Sequence, residues 1–201
     1  MARKNRYYRL FLAVHATAHA VDGCDLFEND EEKLEYLIRF VEIARQEQVE
    51  IHAYCLLSNH VHFILVPLKV GSLSRLFLRV HTWWAQYINL KRGRKGHLFA
   101  GRFYSCVLDK AHYWAAMRYI DANPRHHNVS RDLVNFRYSS ARQHLTGQED
   151  PLVPLKMGAW RRRFTIKTYR EFVEQTDTEA VKRLDACLQN GMPCGSEKFV
   201  R

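Results

Sequence analysis

The 201-residue chain has no uninterrupted apolar run near 18 residues, so no membrane-spanning helix and no membrane partner are expected. It also lacks a cysteine framework. Cys24, Cys55, Cys106, Cys187 and Cys194 are odd in number, widely spaced and without a CxxC pair, which argues against a disulfide scaffold and a zinc ribbon. Arg3, Lys4 and Arg6 make a basic start, but His15 and His19 break the stretch that follows, so no signal peptide is expected and a cytoplasmic location is the simplest reading. No P-loop pattern, internal repeat or low-complexity tract is present. What is present is a hydrophobic content of 47%, with 12% aromatic residues, enough to build a core and to argue against wholesale disorder. One domain, or one domain with a helical appendage, fits this length.

Charge is unevenly placed. The formal net charge is +10, yet residues 20–50 hold ten acids against three bases, and residues 71–131 hold eleven bases against two acids. One acidic and one strongly basic segment point to a polyanion facing a particular surface, and nucleic acid is the expected partner.

Residues 6–17 are aromatic and β-branched and predict a strand. Asn29, with Glu32 three positions on, predicts a helix start, and Leu34, Leu37, Ile38, Val41 and Ala44 extend it to about residue 47 with most of its acidic charge on the outer face. Residues 50–57 and 60–66 form two strand-like runs around Ser58-Asn59, a hairpin that Pro67 should end. Ser72 is the expected cap of a second helix, whose Leu73, Leu76, Phe77, Val80, Trp83, Trp84 and Tyr87 follow a core rhythm. After a Gly/Lys/Arg loop at 90–97, residues 102–108 predict a strand. Asp109 then opens a helix that should stop near Pro124. The order βαββαβ is ferredoxin-like: an α+β fold with an antiparallel sheet, two helices on one face, and a further helix against the sheet or its edge. Residues 1–145 are taken as the main domain and 146–201 as a linker and helical extension, with one or two helices between 168 and 188.

Two constellations carry chemistry. His60 and His62 alternate onto one strand face about 7 Å apart, where two imidazoles can share a metal ion or grip a phosphate. Two histidines beside a turn can equally just hydrogen-bond or meet solvent. On the helix after residue 109, Tyr119 and Asn123 are four apart and share a face, while Tyr113, Met117 and Ile120 lie on a more apolar one. An amide oxygen facing a histidine pair suits Mg²⁺ or Mn²⁺.

The segments His-Ala-Tyr-Cys-Leu-Leu-Ser-Asn-His-Val-His (52–62), His-Leu-Phe-Ala-Gly-Arg-Phe (97–103) and Tyr-Ile-Asp-Ala-Asn-Pro (119–124) together resemble the single-tyrosine HUH transposases, and most closely the REP-associated tyrosine transposase branch. The resemblance runs over about 6–145. It implies metal binding by His60, His62 and Asn123, Tyr119 as nucleophile, and metal-dependent cleavage and strand transfer of single-stranded or hairpin DNA through a 5′-phosphotyrosine. Arg6, Lys91, Arg92, Arg94, Lys95 and Arg102 are the expected DNA-binding bases. The chain departs from the family pattern at Tyr104, where relatives often carry Lys, and between His15 and Asp22, where a small, basic loop is usual.

A host-adopted protein that binds or nicks hairpin DNA without mobilising it would keep the same residues. A two-histidine phosphoesterase needs HxT or HxS on two strands; His15-Ala16-Thr17 supplies one, and His60-Val61-His62 does not supply the other. Monomer and homodimer both fit the sequence.

Overall fold

The computed structural model describes residues 8–175 and 177–200. Its element order is β1 (Val14–His19), α1 (Asp30–Gln46), β2 (Val49–Leu56), β3 (His60–Pro67), α2 (Ser72–Lys91), β4 (Tyr104–Val107), α3 (Lys110–His126), α4 (Ala141–Thr146), α5 (Gly158–Arg163), α6 (Ile166–Glu174), α7 (Thr178–Asn190) and α8 (Glu197–Val200). The strands form one sheet in the order β2-β3-β1-β4, with every neighbouring pair antiparallel. That is the expected ferredoxin-like α+β topology.

Strand alternation builds two faces. Val14, Ala16 and Ala18 of β1 point with Val61, Phe63 and Leu65 of β3 into a core shared with Leu37 and Phe40 of α1 and Leu76, Phe77, Val80 and Trp84 of α2. Phe40 stacks on Phe63 with ring centroids 4.0 Å apart. The opposite face joins Ala53, Ile64 and Cys106 to Met117 and Ile120 of α3, Tyr169 of α6 and Leu184 of α7. Residues beyond 145 therefore help build this second core. Both sheet edges are covered, which removes a site for unwanted strand pairing. Cys194 N–H donates to Val107 O beside β4 at 2.7 Å, and Leu56 N–H donates to Tyr138 O beside β2 at 2.9 Å.

Several boundaries differ from the sequence expectation. The first strand starts at Val14, because Phe11 adopts a left-handed φ of 63° and turns the chain. Gly71, with a φ of 75°, occupies the N-cap position of α2, and Ser72 lies inside the helix with its hydroxyl buried. The fourth strand is shorter than 102–108. Helix α3 passes through Pro124 to His126, since Asn123 and Pro124 are fully packed and burial overrides the bias proline imposes on its neighbour.

Charge is also arranged differently. Glu32, in the first turn of the helix expected to carry most of its acidic charge on the outer face, is 1% exposed and bonds Arg92 Nη2 at 2.5 Å, with Lys91 Nζ at 3.4 Å. Arg92 also contacts Glu28 and donates to Asp25 O. Burial alone would raise the Glu32 carboxyl. The Glu28 backbone N–H, Arg92 and Lys91 outweigh that and hold it below its usual value. Glu47 likewise bonds Arg75 and Arg79 at 2.7 and 2.9 Å. The acidic helix thus neutralises much of its basic neighbour. Removing one member of a buried ion pair leaves an uncompensated charge, so Arg92→Ala is expected to cost about 3 kcal/mol. Lys95→Ala, at an exposed position, should leave the urea midpoint unchanged.

Candidate active site

Strands β1 and β3 pair so that Thr17 lies opposite His62 and His19 opposite His60. The period of two then gathers His15, Thr17, His19, His60 and His62 on the second face. Thr17 is held by its hydroxyl, which donates to Val61 O at 2.8 Å. His19 stacks on His60 at a 5.0 Å centroid separation, and the His60 and His62 rings stand edge to face at 5.0 Å.

Helix α3 lies across these histidines. The Tyr119 ring meets His62 edge-on at 5.5 Å, and His127, just past the end of the helix, meets His60 at 4.8 Å. Asn123 lies between them on the same helical face, fully buried. Its Nδ2 donates to Tyr119 O one turn back at 3.3 Å, while its Oδ1 is buried without a hydrogen-bond partner. His60, His62 and Tyr119 line a cavity of about 680 Å³ together with His19, His127 and Asp185.

Each member of the histidine pair has an orienting partner on Nδ1: Asn59 Oδ1 lies 2.7 Å from His60 Nδ1, and His15 Nε2 lies 3.2 Å from His62 Nδ1. Burial pushes His60 down to about 3 and His62 well below the ordinary imidazole value, with neighbouring histidines adding to both shifts, so each ring is neutral at pH 7. Among the described residues, no three His, Cys, Asp or Glu side chains converge closely enough to hold a metal on their own. Two neutral imidazoles and an orphaned amide oxygen nonetheless make a donor set suited to a divalent ion.

Burial raises the Tyr119 phenol above its ordinary value; the Asp185 carboxylate adds to this, and Asn123 opposes it. Tyr113 is differently employed: its hydroxyl lies 2.8 Å from His52 Nδ1, away from the cavity.

The expected DNA-binding bases are not gathered at the cavity. Lys91 and Arg92 are engaged by Glu32, and Arg94 donates to Cys24 Sγ. Lys95 is exposed on the loop after α2. Arg102 lines a separate groove between α2 and residues 96–103, two positions beyond Ala100 on the cavity wall. Arg6 lies outside the described residues. Residues that sequence reasoning did not assign to the site include His19, His127, Asp185 and Gln189. Strand alternation already put His19 in phase with His15. Asp185 and Gln189 sit at i, i+4 on α7, but only the tertiary fold brings that face to the cavity.

Known proteins share both the sequence pattern and the fold. The sequence model of the family described as "Transposase IS200 like" matches residues 14–123, more than half of the chain. The chain belongs to the IS200-like transposase family. Among solved structures, the REP-associated tyrosine transposase bound to a REP hairpin is similar, with a TM-score of 0.60 and 18% identity over 78% of this chain and 96% of that one, and so shares the fold. A search of curated proteins returned no significant match. Among the described residues, no helix of this transposase-family chain is long and apolar enough to cross a membrane.

Beneath the site, a buried carboxylate anchors the tyrosine helix of this family member. Asp121 accepts from Ser140 Oγ at 2.5 Å, His144 Nδ1 at 2.7 Å and Tyr169 Oη at 2.5 Å, and all four residues are fully buried. Ser140 in turn bonds the backbone of Tyr54 on β2. Asp121→Ala would leave the buried His144 and Tyr169 donors without an acceptor, while Ser140 Oγ still reaches Tyr54 O, and should destabilise the fold by about 3 kcal/mol or more, against roughly 2 kcal/mol for Tyr169→Phe. Urea denaturation of both variants checks this; wild-type midpoints would contradict it.

Proposed function

We propose that the protein cleaves and rejoins single-stranded DNA next to a hairpin through a covalent link to Tyr119. The observation that carries this reading is the placement of Tyr119 edge-on to His62 in a cavity shared with His60, with Asn123 buried one helical turn along α3 and not itself on the cavity wall. The similar REP-associated transposase is bound to a hairpin, which supports a hairpin-bearing single strand as the substrate class.

In the first step the Tyr119 oxygen attacks a phosphorus in line. The phosphorus–O3′ bond breaks, and a 5′-phosphotyrosine and a free 3′-OH result. The phenol gives up its proton and the departing 3′ oxygen takes one up. A second 3′-OH then attacks the phosphotyrosine and regenerates Tyr119. The ester keeps the bond energy, so no nucleotide triphosphate is needed. Burial makes the Tyr119 phenol a weaker acid than it is in water, so charge at the phosphate and phenolate must be offset. Mg²⁺ or Mn²⁺, held by His60, His62 and Asn123, would supply that offset as a Lewis acid. The neutral imidazole of His127 at the cavity wall can donate to a phosphate oxygen without competing as a charge. Tyr119 meets His62 within one chain, which supports a tyrosine acting on its own subunit's histidine pair.

Incubating labelled hairpin-bearing single strands with protein and Mg²⁺ or Mn²⁺ should give a covalent protein–DNA band on a denaturing gel. The band should vanish with chelator and in Tyr119→Phe, and persist in Tyr113→Phe; unimpaired cleavage by Tyr119→Phe would refute the assignment. DNA binding makes a separate test. Each phosphate contacted on a single strand adds about −0.7 to the slope of log affinity against log salt, so a clearly negative slope is expected and a slope near zero would refute phosphate contacts.

A further inference from the structure

We propose that His15 is a positioning residue that holds His62 in the tautomer a metal ion requires. This rests on the reading of His60 and His62 as metal ligands. His15 is fully buried on β1, opposite Ile64 and diagonal to His62, with its Nε2 3.2 Å from His62 Nδ1. A neutral imidazole carries one N–H and one lone pair. For His62 to offer its Nε2 lone pair to an ion, its hydrogen must sit on Nδ1, where it faces His15 Nε2. His15 must then accept there and carry its own hydrogen on Nδ1. That atom is buried without a hydrogen-bond partner.

In the opposite arrangement His15 Nε2–H donates to His62 Nδ1. His62 then carries its hydrogen on Nε2 and has no lone pair for a metal. The two arrangements differ only in where two hydrogens sit. His60 is not balanced in this way, because Asn59 Oδ1 only accepts, which fixes the His60 hydrogen on Nδ1. The pair is therefore asymmetric: one histidine is set by an acceptor, the other by a group able to play either part. The sequence motif His15-Ala16-Thr17 finds its use here. Thr17 is committed to Val61 O, and His15 supports the metal pair from behind. Outer partners of this kind commonly matter to metal affinity by about 10–100-fold.

The test is Mn²⁺ binding to the full chain without DNA, by titration calorimetry, for wild type, His15→Leu, His15→Gln and His60→Ala. His15→Leu should bind Mn²⁺ about 10–100-fold more weakly than wild type. His15→Gln, which keeps an acceptor, should stay closer to wild type. Binding of a hairpin-bearing strand in EDTA should be unchanged in both. A folded His15→Leu that binds Mn²⁺ as wild type does, while His60→Ala does not, would overturn the role of His15 and leave the metal pair standing. Equal binding by wild type and His60→Ala would overturn the metal pair itself, and this inference with it. Should His15→Leu not fold, nitrogen-15 imidazole spectra of the Mg²⁺-loaded wild type decide. His62 with its hydrogen on Nδ1 supports the proposal, and with its hydrogen on Nε2 overturns it.

Discussion

The site depends on how one buried carboxylate is satisfied. Asp121 sits on α3 between Tyr119 and Asn123 and accepts hydrogen bonds from three residues 19, 23 and 48 positions further along the chain. A carboxylate removed from water is costly unless it is fully bonded. Helix α3 therefore holds the position in which Ser140, His144 and Tyr169 all reach it. Ser140 refers that position to β2, two strands from β1, while α4 and α6 fix it from the far side. The chain beyond the segment matched by the family model thereby takes part in aiming Tyr119 at His62.

The sheet supplies the other half of the site. β1 and β3 lie side by side at its centre, and each sends an apolar set to one face and a histidine-bearing set to the other. Between α3 and the sheet those imidazoles lose water and stay neutral, which leaves lone pairs available. The positive charge that points to a polyanion is less concentrated than the sequence implies. Glu32 and Glu47 of α1 and its end engage Lys91, Arg92, Arg75 and Arg79 of α2 and its end, so part of the basic segment holds two helices together.

Much of this is legible in the sequence. Periods of two and about 3.6 locate β2, β3, α1 and α2 to within a few residues, and the i, i+4 spacing by itself pairs Tyr119 with Asn123. What is not legible depends on distant contacts. No local pattern reveals that Glu32 turns inward to meet Arg92, since that needs the crossover placing α2 beside α1. Pro124 points to a helix end, but burial of the last turn outweighs a local steric preference. Asp185 and Gln189 look like ordinary surface residues of a short amphipathic helix until α7 docks near β4. His15 is visible as part of an HxT motif. Its relation to His62 becomes clear only from strand register.

In the proposed reaction Tyr119 becomes covalently joined to DNA. The most direct measurement digests the protein–DNA adduct with protease and nuclease and locates the nucleotide-bearing peptide by mass spectrometry. A 5′-linked nucleotide on Tyr119 is the expected result. A nucleotide on any other residue, or cleaved DNA with no adduct at any time point, would contradict it.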